Sequence, residues 1–216
     1  MPPDNYASVR GGCLISTDHP GLTSATILWR RIDRAGHEVA RLLALQPGSQ
    51  LAGTAVFAHE AAACRLDYLI VCDTMWRTIG ATVTGWIGNR AIDLDIAVDA
   101  AHRWSLNGTD SPNVTGCLDI DLAFSPATNL LAIRRLALNP GEAAPVRAAW
   151  LRFPEFALEP LEQVYRRRDA TTYEYESGGG AFRTVLRTNT AGFVTHYPDQ
   201  WEVEHQDEAG FASPSR

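Results

Sequence analysis

The chain has no lysine, and its 19 basic residues are all arginine. Schiff-base chemistry and a phosphate-binding P-loop lysine are excluded with it, because both need an amine side chain. Long apolar runs are also missing. Stretches such as residues 69–72 and 130–133 fall far short of the roughly 20 residues that span a bilayer. The net charge is -6 with no extended basic segment, so the electrostatic footprint of a nucleic-acid binder is absent. None of the four cysteines (Cys13, Cys64, Cys72, Cys117) has C-x-x-C spacing, and no basic-then-apolar leader opens the chain. These features predict reduced, mostly buried thiols in a cytoplasmic protein. No cofactor and no metal are implied.

Two catalytic motifs fail on inspection. His37-Glu38 and His59-Glu60 begin a zinc-protease pattern, but the residues four places after each histidine are Arg41 and Ala63. A Gly-x-Ser-x-Gly elbow is likewise missing, which speaks against an α/β-hydrolase.

What the sequence does contain is period-2 alternation along most of its 216 residues, 45% of them hydrophobic. Strands are predicted over residues 25–30, 38–45, 51–59, 64–73, 76–86 and 91–98, then 104–106, 114–124, 147–153, 172–177, 181–189 and 193–197. Residues 38–45 place Val39, Arg41, Leu43 and Leu45 on one face. Pro47-Gly48, Gly88-Asn89, Asn107-Gly108, Gly178-Gly179-Gly180 and Ala191-Gly192 supply turns. Ser125-Pro126 reads as a helix cap followed by its first residue, opening a helix over 126–136. A second helix is a candidate at 158–168, although Pro160 weakens it. Residues 205–216 are expected to be loose. No linker interrupts the pattern, so residues 1–216 form one domain.

Two Asp-x-Asp pairs, Asp93/Asp95 and Asp119/Asp121, each present two carboxylates on one face of a strand. Such a pair suits a cation or a cluster of sugar hydroxyls, or it simply marks a wet strand face. Arg134 and Arg135 follow the second pair and can bind it. Six tryptophans and six tyrosines are spread over many strands, where aromatic rings either pack a core or line a sugar-binding cavity.

Several segments stand in a characteristic order: Gly36-His37-Glu38, residues 68–76 (Tyr-Leu-Ile-Val-Cys-Asp-Thr-Met-Trp), Trp104-Ser-Leu-Asn-Gly108 and Gly116-Cys-Leu-Asp-Ile-Asp-Leu122. Phe124-Ser-Pro-Ala-Thr-Asn-Leu-Leu-Ala-Ile-Arg-Arg-Leu136 follows, then Ala149-Trp150, Phe153-Pro154, Gln163-Val-Tyr165 and Tyr173-Glu-Tyr175. From residue 28 to 201 the chain resembles the glycolipid-binding family of bacterial proteins, long known as a domain of unknown function. The family tends to carry Pro where this chain has Ala132. The resemblance implies a mainly β spiral roll, a highly curved sheet of about fifteen strands around a single α-helix; likeness of fold does not by itself assign a function.

Three functional classes follow. The first is a non-catalytic binder or carrier of a glycolipid or another amphipathic lipid, held in a cavity of the roll. In it Asp119, Asp121, Arg134 and Arg135 hold the polar head, Trp86, Trp150, Tyr173 and Tyr175 line the cavity, and Glu38 joins the polar set. The second is an assembly protein with a filled core that forms a homodimer. The third is a carbohydrate or lipid-ester hydrolase using Glu38, His37 or the Asp119/Asp121 pair as acid and base.

Overall fold

A computed structural model of the protein describes residues 24–208. The first half of the chain is a meander: β1 (Ser24–Arg31), β2 (Gly36–Ala44), β3 (Ser49–His59), β4 (Ala62–Cys72), β5 (Thr78–Ile87), β6 (Arg90–Val98), β7 (Trp104–Leu106) and β8 (Thr109–Asp110). A 3-10 turn at Pro112–Val114 leads to β9 (Asp119–Leu122) and to the helix α1 (Asn129–Leu136). The second meander follows as β10 (Ala143–Leu151), β11 (Leu158–Arg167), β12 (Thr172–Ser177), β13 (Phe182–Thr188), β14 (Val194–Tyr197) and β15 (Trp201–Asp207).

All fifteen strands among the described residues belong to one sheet, ordered β8-β7-β6-β5-β4-β3-β2-β1-β15-β14-β13-β12-β11-β10-β9. The first strand pairs antiparallel with the last, which fuses the two meanders into a continuous surface. β9 and β10 run parallel, and a parallel pair needs a crossover, which α1 provides. The mainly β roll around one helix is therefore present as the sequence resemblance implies.

Alternation explains most strands. In β6, Ile92, Leu94 and Ile96 turn into the core while Asp93 lies in solvent and Asp95 is half-buried, the wet-face reading of this pair. At the other end, β9 is enclosed on both faces. Ile120 and Leu122 enter the larger buried cluster with the inner residues of β1–β6. Asp119 and Asp121 point the opposite way, where Ala148, Tyr165 and Tyr175 pack with the helix residues Ala132 and Ile133 in a smaller cluster. The sheet thus laps over itself, and β9 is the strand caught in the overlap.

In β2, Val39 and Arg41 share a face as expected, and it is the outer one, whereas Glu38, Ala40 and Leu42 turn into the core. Four expectations are corrected. The strand expected over 114–124 is confined to Asp119–Leu122; Val114 ends the 3-10 turn, since Pro112 favours a tight turn. The helix starts at Asn129, not at 126. Ser125 caps the turn before it instead: its hydroxyl accepts the Ala127 N–H at 3.1 Å and donates to Glu38, and residues 126–128 turn first, with Thr128 Oγ1 accepting the Leu122 N–H at 3.3 Å. The candidate helix at 158–168 is strand β11, in which Leu161, Gln163, Tyr165 and Arg167 share the inner face. Residues 205–207, expected loose, pair with β1, and the Glu208 carboxylate accepts the Thr190 N–H at 2.7 Å; residues 209–216 and Cys13 lie outside the described residues. Cys64, Cys72 and Cys117 are buried free thiols. No helix among the described residues is long and apolar enough to cross a membrane.

Candidate ligand cleft

Parallel register sets Asp121 of β9 beside Trp150 of β10, and antiparallel register sets Tyr165 of β11 beside Tyr175 of β12 and Ser177 beside Phe182 of β13. These side chains share the inner face of the second meander. The turn before α1, carrying Ser125, and the first helical residue, Asn129, stand opposite. Between them opens a cleft of about 270 Å³, with Asp121, Ser125 and Asn129 on its polar side and Trp150, Leu161, Tyr175, Phe182 and Tyr197 on its walls. Tyr175, Phe182 and Tyr197 pack edge to face or tilted, with centroids 6.1–6.3 Å apart, so the wall is a rigid aromatic surface.

The polar side is held from behind. Gln163 Nε2 donates to Asp121 at 2.6 Å and to the Tyr175 hydroxyl at 3.0 Å. The Tyr165 hydroxyl donates to Asn129 Oδ1 at 2.8 Å, and Asn129 Nδ2 donates to the Pro126 carbonyl at 3.1 Å. Burial pushes the Asp121 carboxyl up to about 6; the Gln163 hydrogen bond opposes this and the neighbouring Asp119 charge adds to it.

Asp119 is fully engaged. Arg135 grips it with Nε at 2.8 Å and Nη2 at 2.5 Å, a bidentate, charge-assisted pair. Burial still pushes the Asp119 carboxyl up against the downward pull of Arg135. Arg134 turns elsewhere: its Nε donates to the Ala191 carbonyl at 2.7 Å, and its guanidinium lies over Trp76. Burial lowers that guanidinium to about 10.

Glu38 reaches the cleft indirectly. Its Oε1 accepts from the Ser125 hydroxyl at 2.5 Å and from the Tyr68 hydroxyl at 2.7 Å, while Oε2 has no protein partner. Burial drives this carboxyl up to about 8, against both hydrogen bonds and a distant Arg31. Adjacent His37 points outward, 3.2 Å from Glu204. Histidine and glutamate are therefore on opposite faces of β2, and Asp119 is tied to Arg135, so the acid–base pairs read from sequence are not assembled.

Of the aromatic candidates, Trp150 and Tyr175 line the cleft. Tyr173 is buried in the smaller cluster with Arg167 over its ring. Trp86 stands exposed on the outer face of β5, paired in register with Arg65 of β4. Among the described residues, no group of three or more His, Cys, Asp and Glu forms a metal site.

Residues 26–203 match the family described as "Putative glycolipid-binding". The chain belongs to that family. The crystal structure of a DUF1089 family protein from Pseudomonas aeruginosa is similar at 31% identity and a TM-score of 0.68, over 76% of this chain and 90% of that one. A β-barrel-like protein of the DUF1849 domain from Brucella abortus shares the fold at a TM-score of 0.54 and 7% identity, over 86% of this chain and 98% of that one. No curated protein matches.

In this member of the family, the cleft is lined or backed by residues that sequence reasoning passed over: Ser125, Asn129, Gln163, Phe182 and Tyr197. Gln163 carried a usable signal, since a glutamine two places before Tyr165 on a strand must share its buried face. Phe182 and Tyr197 carried none, because only the pairing of distant strands brings them to Tyr175.

Proposed function

We propose that this protein is a non-catalytic binder of a glycolipid whose sugar head sits in the cleft between the turn before α1 and the inner face of β9–β13. One observation carries this reading: a carboxylate, Asp121, lies on the polar side of a cleft walled by Trp150, Tyr175, Phe182 and Tyr197. Carboxylates and side-chain amides accept and donate to sugar hydroxyls, and aromatic rings pack on the apolar faces of sugars. The interior of the roll is taken by α1 and the two buried clusters, so the acyl chain leaves through the mouth of the cleft over Leu161, Ala181 and Phe182. Asp119 and Arg135 support the site from behind instead of touching the ligand.

Native mass spectrometry of the purified protein, with solvent extraction of the same sample, tests this. The expected result is an adduct of lipid mass that is taken up again from added glycolipid and lost in Trp150→Ala. A clean unliganded mass with no uptake overturns it. The packed interior favours a second reading, an assembly protein that pairs with another copy. A dimer in light scattering together with no lipid uptake decides for that one.

A further inference from the structure

The charges around the cleft do not balance. Asp119 is neutralised by Arg135, and Arg152, stacked on Trp150 with its guanidinium carbon 5.5 Å from the ring, is paired to Glu159 at 3.2 Å. Asp121 has only the neutral amide of Gln163. No Arg or His belongs to the lining, whose titratable members are Asp121, Tyr175 and Tyr197. A half-buried carboxylate without a cationic partner favours any ligand that brings hydrogen-bond donors or positive charge, and repels one that brings negative charge.

We propose, building on the glycolipid reading, that the cleft selects neutral or amine-bearing sugar heads and refuses anionic ones: uronic acids, phosphosugars and sulfosugars. The ligand's hydroxyl or ammonium donors complete the shell of Asp121 that Gln163 begins. Asn129 and Ser125, both already bonded within the protein, set the depth of the head. An anionic head would place a second uncompensated charge beside Asp121. The same geometry separates this protein from anion-binding sites, which gather arginines or backbone N–H groups around the ligand.

The test is a titration of the full chain at pH 7.5 with three octyl glycosides below micellar concentration: glucoside, 2-amino-2-deoxyglucoside and glucuronide. Glucoside and aminoglucoside are expected to bind, and glucuronide at least about tenfold more weakly. In Asp121→Asn, which keeps the shape, the glucoside weakens and its margin over the glucuronide shrinks. Glucuronide binding as tight as glucoside overturns the selection, and so does an unchanged margin in Asp121→Asn. If none of the three binds while the variant folds normally, the glycolipid reading itself fails and this inference falls with it.

Discussion

Tyr68 bonds to Glu38 across an intervening strand. Its hydroxyl lies 2.7 Å from Glu38 Oε1, although the two residues belong to β4 and β2 with β3 between them. The ring passes over Gly53, which pairs with Tyr68 in register. A Cβ at Gly53 would stand 2.4 Å from the Tyr68 hydroxyl and 2.5 Å from the ring, and 2.7 Å from the Val39 carbonyl.

Gly53→Ala therefore forces the ring or the backbone to move. We expect a loss of about 1–3 kcal/mol of stability in urea unfolding, the usual range for overpacking. A variant as stable as the parent would mean that the Tyr68–Glu38 contact is dispensable.

Glu38→Gln addresses the buried carboxyl. Its folded pKa, about 8, lies above its ordinary value, so the folded state holds the proton more tightly. Stability is then greatest at low pH and declines as pH rises through that window. From pH 6 to 8.5 the parent should lose on the order of 2 kcal/mol. The glutamine variant, which mimics the protonated form and keeps the acceptor for Ser125 and Tyr68, should lose much less. Urea midpoints at the two pH values decide it.

Arg135→Leu strands Asp119 as a buried charge without its partner. A cost of about 3 kcal/mol is expected, much of it recovered in the double variant Asp119→Asn, Arg135→Leu. Equal melting temperatures for single and double variants would show that the pair is not coupled.

Affinity for a neutral glycoside should fall as pH drops below about 6, because protonation removes the Asp121 charge. Asp119, Gln163, Tyr165, Tyr175 and Tyr197 surround that carboxyl, and none of the tyrosines titrates there, since burial raises all three. Burial raises the Asp119 carboxyl as well, while its bond to Arg135 favours the charged form. Calorimetric titration of the parent and of Asp121→Asn, which should be flat with pH, separates this from a loss of fold.

Trp150→Ala removes one wall of the cleft from a half-buried position. Glycoside binding should weaken about tenfold, equivalent to roughly 1.4 kcal/mol of lost ring contact, with little change in unfolding. Undiminished binding would place the sugar elsewhere.

Much of the fold was legible because alternation reports burial. β6 and β12 are read within a residue of their ends, since their inner faces are apolar or aromatic and their outer faces polar. β11 was misread because its inner face carries Gln163 and Arg167, whose polar ends find partners within the fold. β15 exposes four consecutive polar residues, Glu204 to Asp207, and its pairing to β1 depends on a partner far away in sequence. At the site, residue type was enough to single out Asp121, Trp150 and Tyr175. It could not distinguish Asp121, open to the cleft, from Asp119, closed by Arg135, because that difference lies in where the helix falls.

The overlap at β9 has a kinetic consequence. Thr78 of β5 ties this strand down twice, accepting the Ile120 N–H at 3.1 Å and donating its own N–H to Leu118. The joining of β1 to β15 spans nearly the whole described chain. Contacts so distant in sequence form slowly, after each meander has made its local hairpins. The turn that carries Ser125 is bonded to Glu38 of the first meander, so the cleft takes its final shape only when the two meanders meet. A ligand taken up there would act as a clasp on the finished roll, slowing its opening more than it hastens its formation.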